Sequence, residues 1–241
     1  MDSLEQDYVK KRKIYRDIFK KSQESIDKQL FELKKNYLCS RCKDDCEFAL
    51  KTDALFSAYP SSCTYRAWQL AALDKLQNEI SKDIYEKMQQ ILKYREQFSC
   101  SRCALCCKFA CSEFSYEELK QKALKGDKFA SQFTSVFVPY VDLTKAQEVF
   151  GDYIELLKSK YGTLEGVYFY YCPKLSQDNL CTDYENRPEI CRDFPNNSLA
   201  ILPNTCGFKA WKEESEVISL TLHALSQIIG FYIEKIEECI K

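Results

Sequence analysis

The residues that could do chemistry in this chain are its thiols. Fourteen of its 241 residues are cysteine, and His223 is its one histidine. The densest run is Cys100-x2-Cys103-x2-Cys106-Cys107. A thiolate at every third residue can wrap three sulfurs around one centre within about two turns of chain, a geometry that serves cubane iron–sulfur clusters and tetrahedral zinc alike. Further thiols follow at Cys172, Cys181, Cys191 and Cys206. The bacterial ferredoxin pattern C-x2-C-x2-C-x3-C-P is not met, because the next cysteine, Cys111, lies one residue too far along and precedes Ser112. An earlier knuckle offers Cys39, Cys42, Cys46 and Cys63, spaced C-x2-C-x3-C-x16-C. Four thiols make one closed tetrahedral site, as structural zinc prefers.

Composition removes several competing chemistries. Lysine plus arginine total 35 against 36 acidic residues, for a net charge of −1. No global field therefore points to nucleic acid or to an anionic membrane as a partner. The six glycines are spaced so that neither GxGxxG nor GxxxxGK[ST] occurs. A single histidine excludes HExxH and multi-histidine zinc sites. The first residues, MDSLEQDYVKKRKIYRDIF, show no apolar stretch or small-residue cleavage site. No apolar run is expected to span a bilayer. These features suggest a cytoplasmic protein with reduced thiols, where clustered cysteines are metal ligands rather than disulfides.

The elements that must carry these thiols are mostly helical. Ile14, Ile18, Ile26, Leu30, Leu33 and Tyr37 fall near helical spacing and predict one helix over residues 4–37. Leu73, Leu76, Ile80, Ile84, Met88 and Ile91 step by three and four, and predict another over 66–98. Two long helices joined by a cysteine-containing loop suggest an antiparallel hairpin. A third helix, 213–240, carries Ile218, Leu222, Leu225, Ile229, Tyr232, Ile236 and Ile240 on one face. In the middle, Ser115 and Glu118 form a capping-box pattern that starts a helix ending near Gly126. Thr144 is expected to cap a helix running to about Gly162, and Val167–Tyr171 reads as a short strand. From Cys172 to Cys206 the chain is turn-rich and holds four of the six prolines. So few apolar residues call for something other than a hydrophobic core, and metal coordination is the candidate.

The resulting expectation is a mainly α protein: a long antiparallel helical hairpin with the first knuckle (1–97), an irregular metal-stapled cysteine-cluster domain (98–211) and a C-terminal packing helix (212–241). A repeat supports a duplicated unit of helix plus knuckle. YLCSRCKDDCEFA at 37–49 and FSCSRCALCCKFA at 98–110 align with an offset of 61, matching Cys39, Cys42 and Cys46 to Cys100, Cys103 and Cys107.

The run CSRCALCC, then CPKL, then CTDYENRPEICRDFP, resembles the YkgJ-type CxxCxxCC family of proposed zinc- or iron-chelating cysteine-cluster proteins. The matching residues include Cys100, Cys103, Cys106, Cys107, Cys172, Pro173, Cys181, Tyr184, Arg187, Pro188, Cys191, Arg192 and Pro195, and the resemblance spans about 98–211. The resemblance implies metal ions as the bound partner and an iron–sulfur cluster or zinc as the cofactor. The family usually carries glycine after the second cysteine, where this chain has Ala104; a positive φ there would strain alanine.

Eight thiols without histidine suit one cubane cluster plus a second site, or two zinc sites of four thiolates each. Neighbours Cys106 and Cys107 point different ways in most backbones, so they suit two centres, or one ligates while the other packs. Four thiolates leave net negative charge on a zinc or iron centre. Arg187 and Arg192, flanking Cys191, and the hydroxyl of Tyr184 are placed to offset it or to donate to sulfur. Cys239 and His223 read as packing residues, and Cys111 as a ligand or a packing residue. No catalytic residue is identifiable.

Three functions compete. The first is a metal-cluster protein in redox or metal handling. The second is an S-adenosylmethionine-dependent protein lysine methylase, since some relatives bearing the CxxCxxCC motif are flagellin lysine methylases. The third is an interaction module whose helical hairpin binds a protein partner while metals staple the fold.

Overall fold

The structure is a computed structural model and describes residues 2–37, 54–198, 200 and 202–241. Cys39, Cys42 and Cys46, and with them the first copy of the repeat, lie outside the described residues. In chain order the helices and strands are α1 (Asp2–Lys34), α2 (Thr64–Asp74), a π-helical segment (Lys75–Ile80), α3 (Ser81–Arg95), α4 (Leu105–Lys108) and β1 (Ala110–Ser112). They continue as α5 (Tyr116–Leu124), α6 (Lys128–Val136), β2 (Val138–Pro139), α7 (Leu143–Tyr161), β3 (Tyr168–Tyr171), α8 (Glu189–Arg192) and α9 (Lys209–Ile240). The protein is mainly helical, with a small three-stranded sheet and a C-terminal helix. It divides into two compact units, one of residues 11–94 and 215–241, the other of residues 1–10 and 95–214.

The first unit is built from helical faces. Its core joins Ile26 and Leu30 of α1, Ala72 of α2, Leu76 of the π-helical segment, Ile84 of α3, and Leu222, Ile228, Ile229, Tyr232 and Ile236 of α9. These are the residues whose three- and four-step spacing puts them on one side of each helix. Polar anchors fix the packing. Trp68 donates through Nε1 to the Leu30 carbonyl at 3.1 Å, and Tyr232 donates to Asp27 at 2.6 Å. Lys34, in the last turn of α1, stands over the rings of Tyr65 and Trp68 in α2 at 4.7 and 5.2 Å. Arg66 donates to the carbonyls of Cys239 and Ile240, satisfying the open C-terminal end of α9.

Two expectations for this unit need correction. The stretch 66–98 is not one uninterrupted α-helix. It starts at Thr64, widens into i→i+5 geometry over Lys75–Ile80, and ends as α-helix at Arg95. Ser81 donates through Oγ to the Leu76 carbonyl at 2.7 Å within that widened stretch. Nor is every helix too short or too polar for a bilayer: by length and composition α9 is long and apolar enough to cross one. One face of α9 is nonetheless packed in the helical core just described. His223 on α9 is exposed, with Tyr15 as a ring neighbour at 6.0 Å.

The second unit is built around β3. That strand is central, pairing antiparallel with β1 (Ala110 opposite Tyr170) and with β2 (Val138 opposite Tyr171). Alternation along a strand sends Tyr170 to one face and Phe169 to the other. Tyr170 packs with Leu119, Ala130, Phe133, Val136 and Phe137 of the α5–α6 side. Phe169 packs with Ala146, Ile154 and Leu157 of α7 and with Phe109. Both faces are covered, which is why the strand reads as an unbroken aromatic run. Tyr170 donates to the Phe114 carbonyl at 2.7 Å, and burial pushes its phenol up to about 12.

The caps follow the sequence closely. Ser115 and Glu118 form the reciprocal capping box that starts α5. Asp127 caps α6, a helix not foreseen from the sequence although Phe129, Ala130, Phe133 and Val136 follow Asp127 at helical spacing. The cap of α7 is Asp142 rather than Thr144: its carboxylate accepts the Thr144 amide at 2.8 Å. That helix ends at Gly162, whose φ of 72° is the left-handed conformation glycine adopts freely. It is kinked at Phe150, whose φ and ψ are −149° and 54°.

Candidate metal centre

The CSRCALCC loop is shaped by two residues in unusual conformations. Arg102 and Ala104 both have positive φ, 58° and 63°. The turn they make lets the Arg102 amide donate to the Cys100 sulfur at 3.3 Å. Ala104 thus adopts a strained left-handed conformation that glycine would take without cost. Its carbonyl then accepts the amides of Cys107 and Lys108 at 3.0 and 2.9 Å, starting the single turn α4 that carries Cys106 and Cys107.

A clasp ties this loop to Cys206. Ser101 donates through Oγ to the Thr205 carbonyl at 2.6 Å and accepts the Gly207 amide at 2.9 Å. The approach is so close that a Cβ on Gly207 would lie 2.0 Å from the Ser99 carbonyl oxygen, so glycine is required. The Cys206 sulfur accepts from the Phe208 amide and is hydrogen-bonded to the Cys103 thiol.

A second set of contacts surrounds Cys107. Its carbonyl accepts the Cys172 amide at 2.7 Å. The Cys172 sulfur in turn accepts from the Lys174 amide. A tight bend returns the chain: Leu175 bridges to Cys181, and the Thr182 amide bonds to the Lys174 carbonyl at 2.9 Å. Cys107, Cys172 and Cys191 pack in one apolar cluster with Phe133 and Tyr170. Cys191 rides on α8, which is anchored by the Ile190 amide on Gln132 at 2.8 Å and by Glu189 on Lys128 at 2.7 Å.

All eight thiols line one cleft of about 930 Å³. Burial pushes the thiols of Cys172 and Cys206 up, and that of Cys191 up to about 11. Cys107 runs the other way, down to about 7, because the Cys106 thiol donates to it and Arg187 lies nearby. Cys106 is raised by that same bond and by burial. These shifts describe free thiols; a bound cation would favour thiolate at each.

The arginines are placed unequally. Arg187 stacks on Tyr184 at 3.6 Å, donates through Nε to the Tyr184 carbonyl at 2.9 Å, and lowers the thiols of Cys107 and Cys191. Arg192 is exposed, and its charge acts on Glu189. Arg102 also stands over the Tyr184 ring, at 5.4 Å. Arg102 and Arg95 were not singled out from the sequence. Arg95 donates to the carbonyls of Arg192 and Phe194 at 3.0 and 2.9 Å and lies 4.6 Å from the Phe208 ring. No local signal in the sequence identifies it, since its partners are some hundred residues away.

Of the remaining described thiols, Cys111 also lines this cleft, whereas Cys63 and Cys239 do not. Cys111 is on β1, opposite Phe169, with Tyr153 as its hydrogen-bonding neighbour. Cys63 stands at the N-terminus of α2 and packs with Tyr59, Tyr65 and Trp68. Cys239 is half-buried on α9. All eleven described cysteines are free.

The donor set fits a thiophilic ion. It offers eight sulfurs and no histidine, and three of the sulfurs already accept backbone amides, which is how a thiolate ligand is held and its charge spread. Among the described residues no three Cys, His, Asp or Glu side chains yet converge closely enough to hold an ion. Ligation therefore requires the thiols to turn inward into the cleft they line.

No curated protein and no solved structure matches this chain. Residues 99–207, under half of the chain and the span that holds all eight of these thiols, match the CxxCxxCC family, a proposed zinc- or iron-chelating domain.

Proposed function

We propose that residues 99–207 hold zinc or an iron–sulfur cluster through cysteine thiolates, and that the chain serves redox chemistry or metal handling in a reducing, cytoplasmic setting. The observation that carries this reading is nine free thiols around one cleft, the eight above and Cys111, with no histidine among them. A bound centre would supply either a rigid tetrahedral staple or a redox couple. The chain's own contribution is to orient the sulfurs through the Arg102, Lys174 and Phe208 amides, and to offset thiolate charge with Arg187. Anaerobic purification followed by metal and sulfide analysis tests this. Bound iron with stoichiometric sulfide marks a cluster; zinc without sulfide marks a staple. Cys172→Ser should lower the metal content. A protein that carries no metal and takes up none would end the proposal. The Cys63 knuckle is proposed as a separate zinc site.

The size of the cleft supports a second reading. A volume of about 930 Å³ lies in the range that encloses a cofactor-sized ligand. That is the feature an S-adenosylmethionine-dependent lysine methylase would need. Transfer of a labelled methyl group to protein lysine would support it, and no binding of the cosubstrate would remove it.

A further inference from the structure

We infer that the eight sulfurs form two centres: Cys100, Cys103, Cys106 and Cys206 around the first, and Cys107, Cys172, Cys181 and Cys191 around the second. This rests on the metal-binding reading above and specifies it.

The division follows which loops are fastened together. Ser101 clasps the first knuckle to Thr205 and Gly207, which brings Cys206 beside Cys103. Nothing of that kind joins Cys206 to the other loops among the described residues. On the far side, the Cys172 amide bonds to the Cys107 carbonyl, Cys181 is folded back against Leu175, and Cys191 packs with Cys107 and Cys172.

The boundary falls between Cys106 and Cys107. They are adjacent on α4, and successive helical residues point about 100° apart. Their thiols are hydrogen-bonded to each other, so the two centres adjoin at this turn. Each group then has four thiolates, the number a closed tetrahedral site takes. Arg187 lies beside Cys107 and Cys191 in the second group, and the guanidinium groups of Arg187 and Arg102 both stand on the Tyr184 ring.

Cadmium is a thiophilic, NMR-active stand-in. The full-length protein is loaded with 113Cd, and the metal resonances are correlated with cysteine Hβ protons. The expected result is two resonances from residues 99–207, with Cys106 and Cys107 correlating to different ones. Cys206→Ser should remove one cadmium equivalent and Cys181→Ser the other. The correlation in the unsubstituted protein needs no variant to fold. Cys106 and Cys107 on one shared resonance would overturn the two-centre division while leaving metal binding intact. A domain that binds no cadmium would overturn metal binding itself.

Discussion

The two units solve the problem of folding by different means. In the helical unit, Ile26, Leu30, Leu76 and Ile236 are each at most 2% exposed and come from three different elements. Its core closes on itself. In the cysteine unit, the sheet has apolar cover on both faces, and the 172–206 segment joins that cover through Cys172, Ile190 and Cys191. Among its described larger apolar side chains, Leu202 is the buried one, and Leu180 is 45% exposed. Loop clasps such as that of Ser101 on Thr205 and Gly207 hold it further. One region is packed on a closed apolar core, and the other is the one proposed to hold metal.

Metal removal should divide the two most sharply. Coordination to four thiolates is worth on the order of 10 kcal/mol of folding free energy when the empty site is unformed. Chelation should make residues 172–206 the first target of limited proteolysis and leave the helical unit resistant. Equal resistance of that segment with and without confirmed metal would erase the distinction. Leu76→Ala probes the opposite side. Leu76 is fully buried, and its truncation should cost about 3 kcal/mol in denaturant unfolding with metal content unchanged. A fall in bound metal would show that the two units are coupled.

Gly207→Ala should cost about 2–3 kcal/mol, because the Cβ has no room against the Ser99 carbonyl. It should also lower metal content, since the clasp that presents Cys206 would open; thermal unfolding and metal analysis report each effect. The smallest expected change has the opposite sign. Ala104→Gly relieves a positive φ and should add about 1 kcal/mol of stability. A neutral or negative effect would mean that loss of the Ala104 methyl from a buried position outweighs the strain.

Much of the helical unit was legible because its signal is local. A three- and four-step apolar pattern marks a buried face wherever it occurs, and Ser115 with Glu118 announces a helix start within four residues. The π-helical segment at Lys75–Ile80 was not legible, since the apolar steps run through it unbroken. The Asp142 cap was misplaced by two residues because Asp142 and Thr144 are both good caps and one must yield. Arg187 and Arg192 looked alike in sequence, flanking the same cysteine. Only the fold turns Arg187 onto Tyr184 and toward the thiols and leaves Arg192 at the surface.

The cysteine spacing, the lack of histidine and the family pattern in 99–207 are properties of the sequence by itself, because ligand type and short-range reach depend on neighbouring residues. Which thiol-bearing loops are fastened together was decided by tertiary structure alone. The Ser101 hydroxyl meets the Thr205 carbonyl 104 residues away, and the Cys172 amide meets the Cys107 carbonyl across the sheet. No spacing rule encodes contacts of that range; they exist only once β3 has paired and the loops at its ends have been brought together.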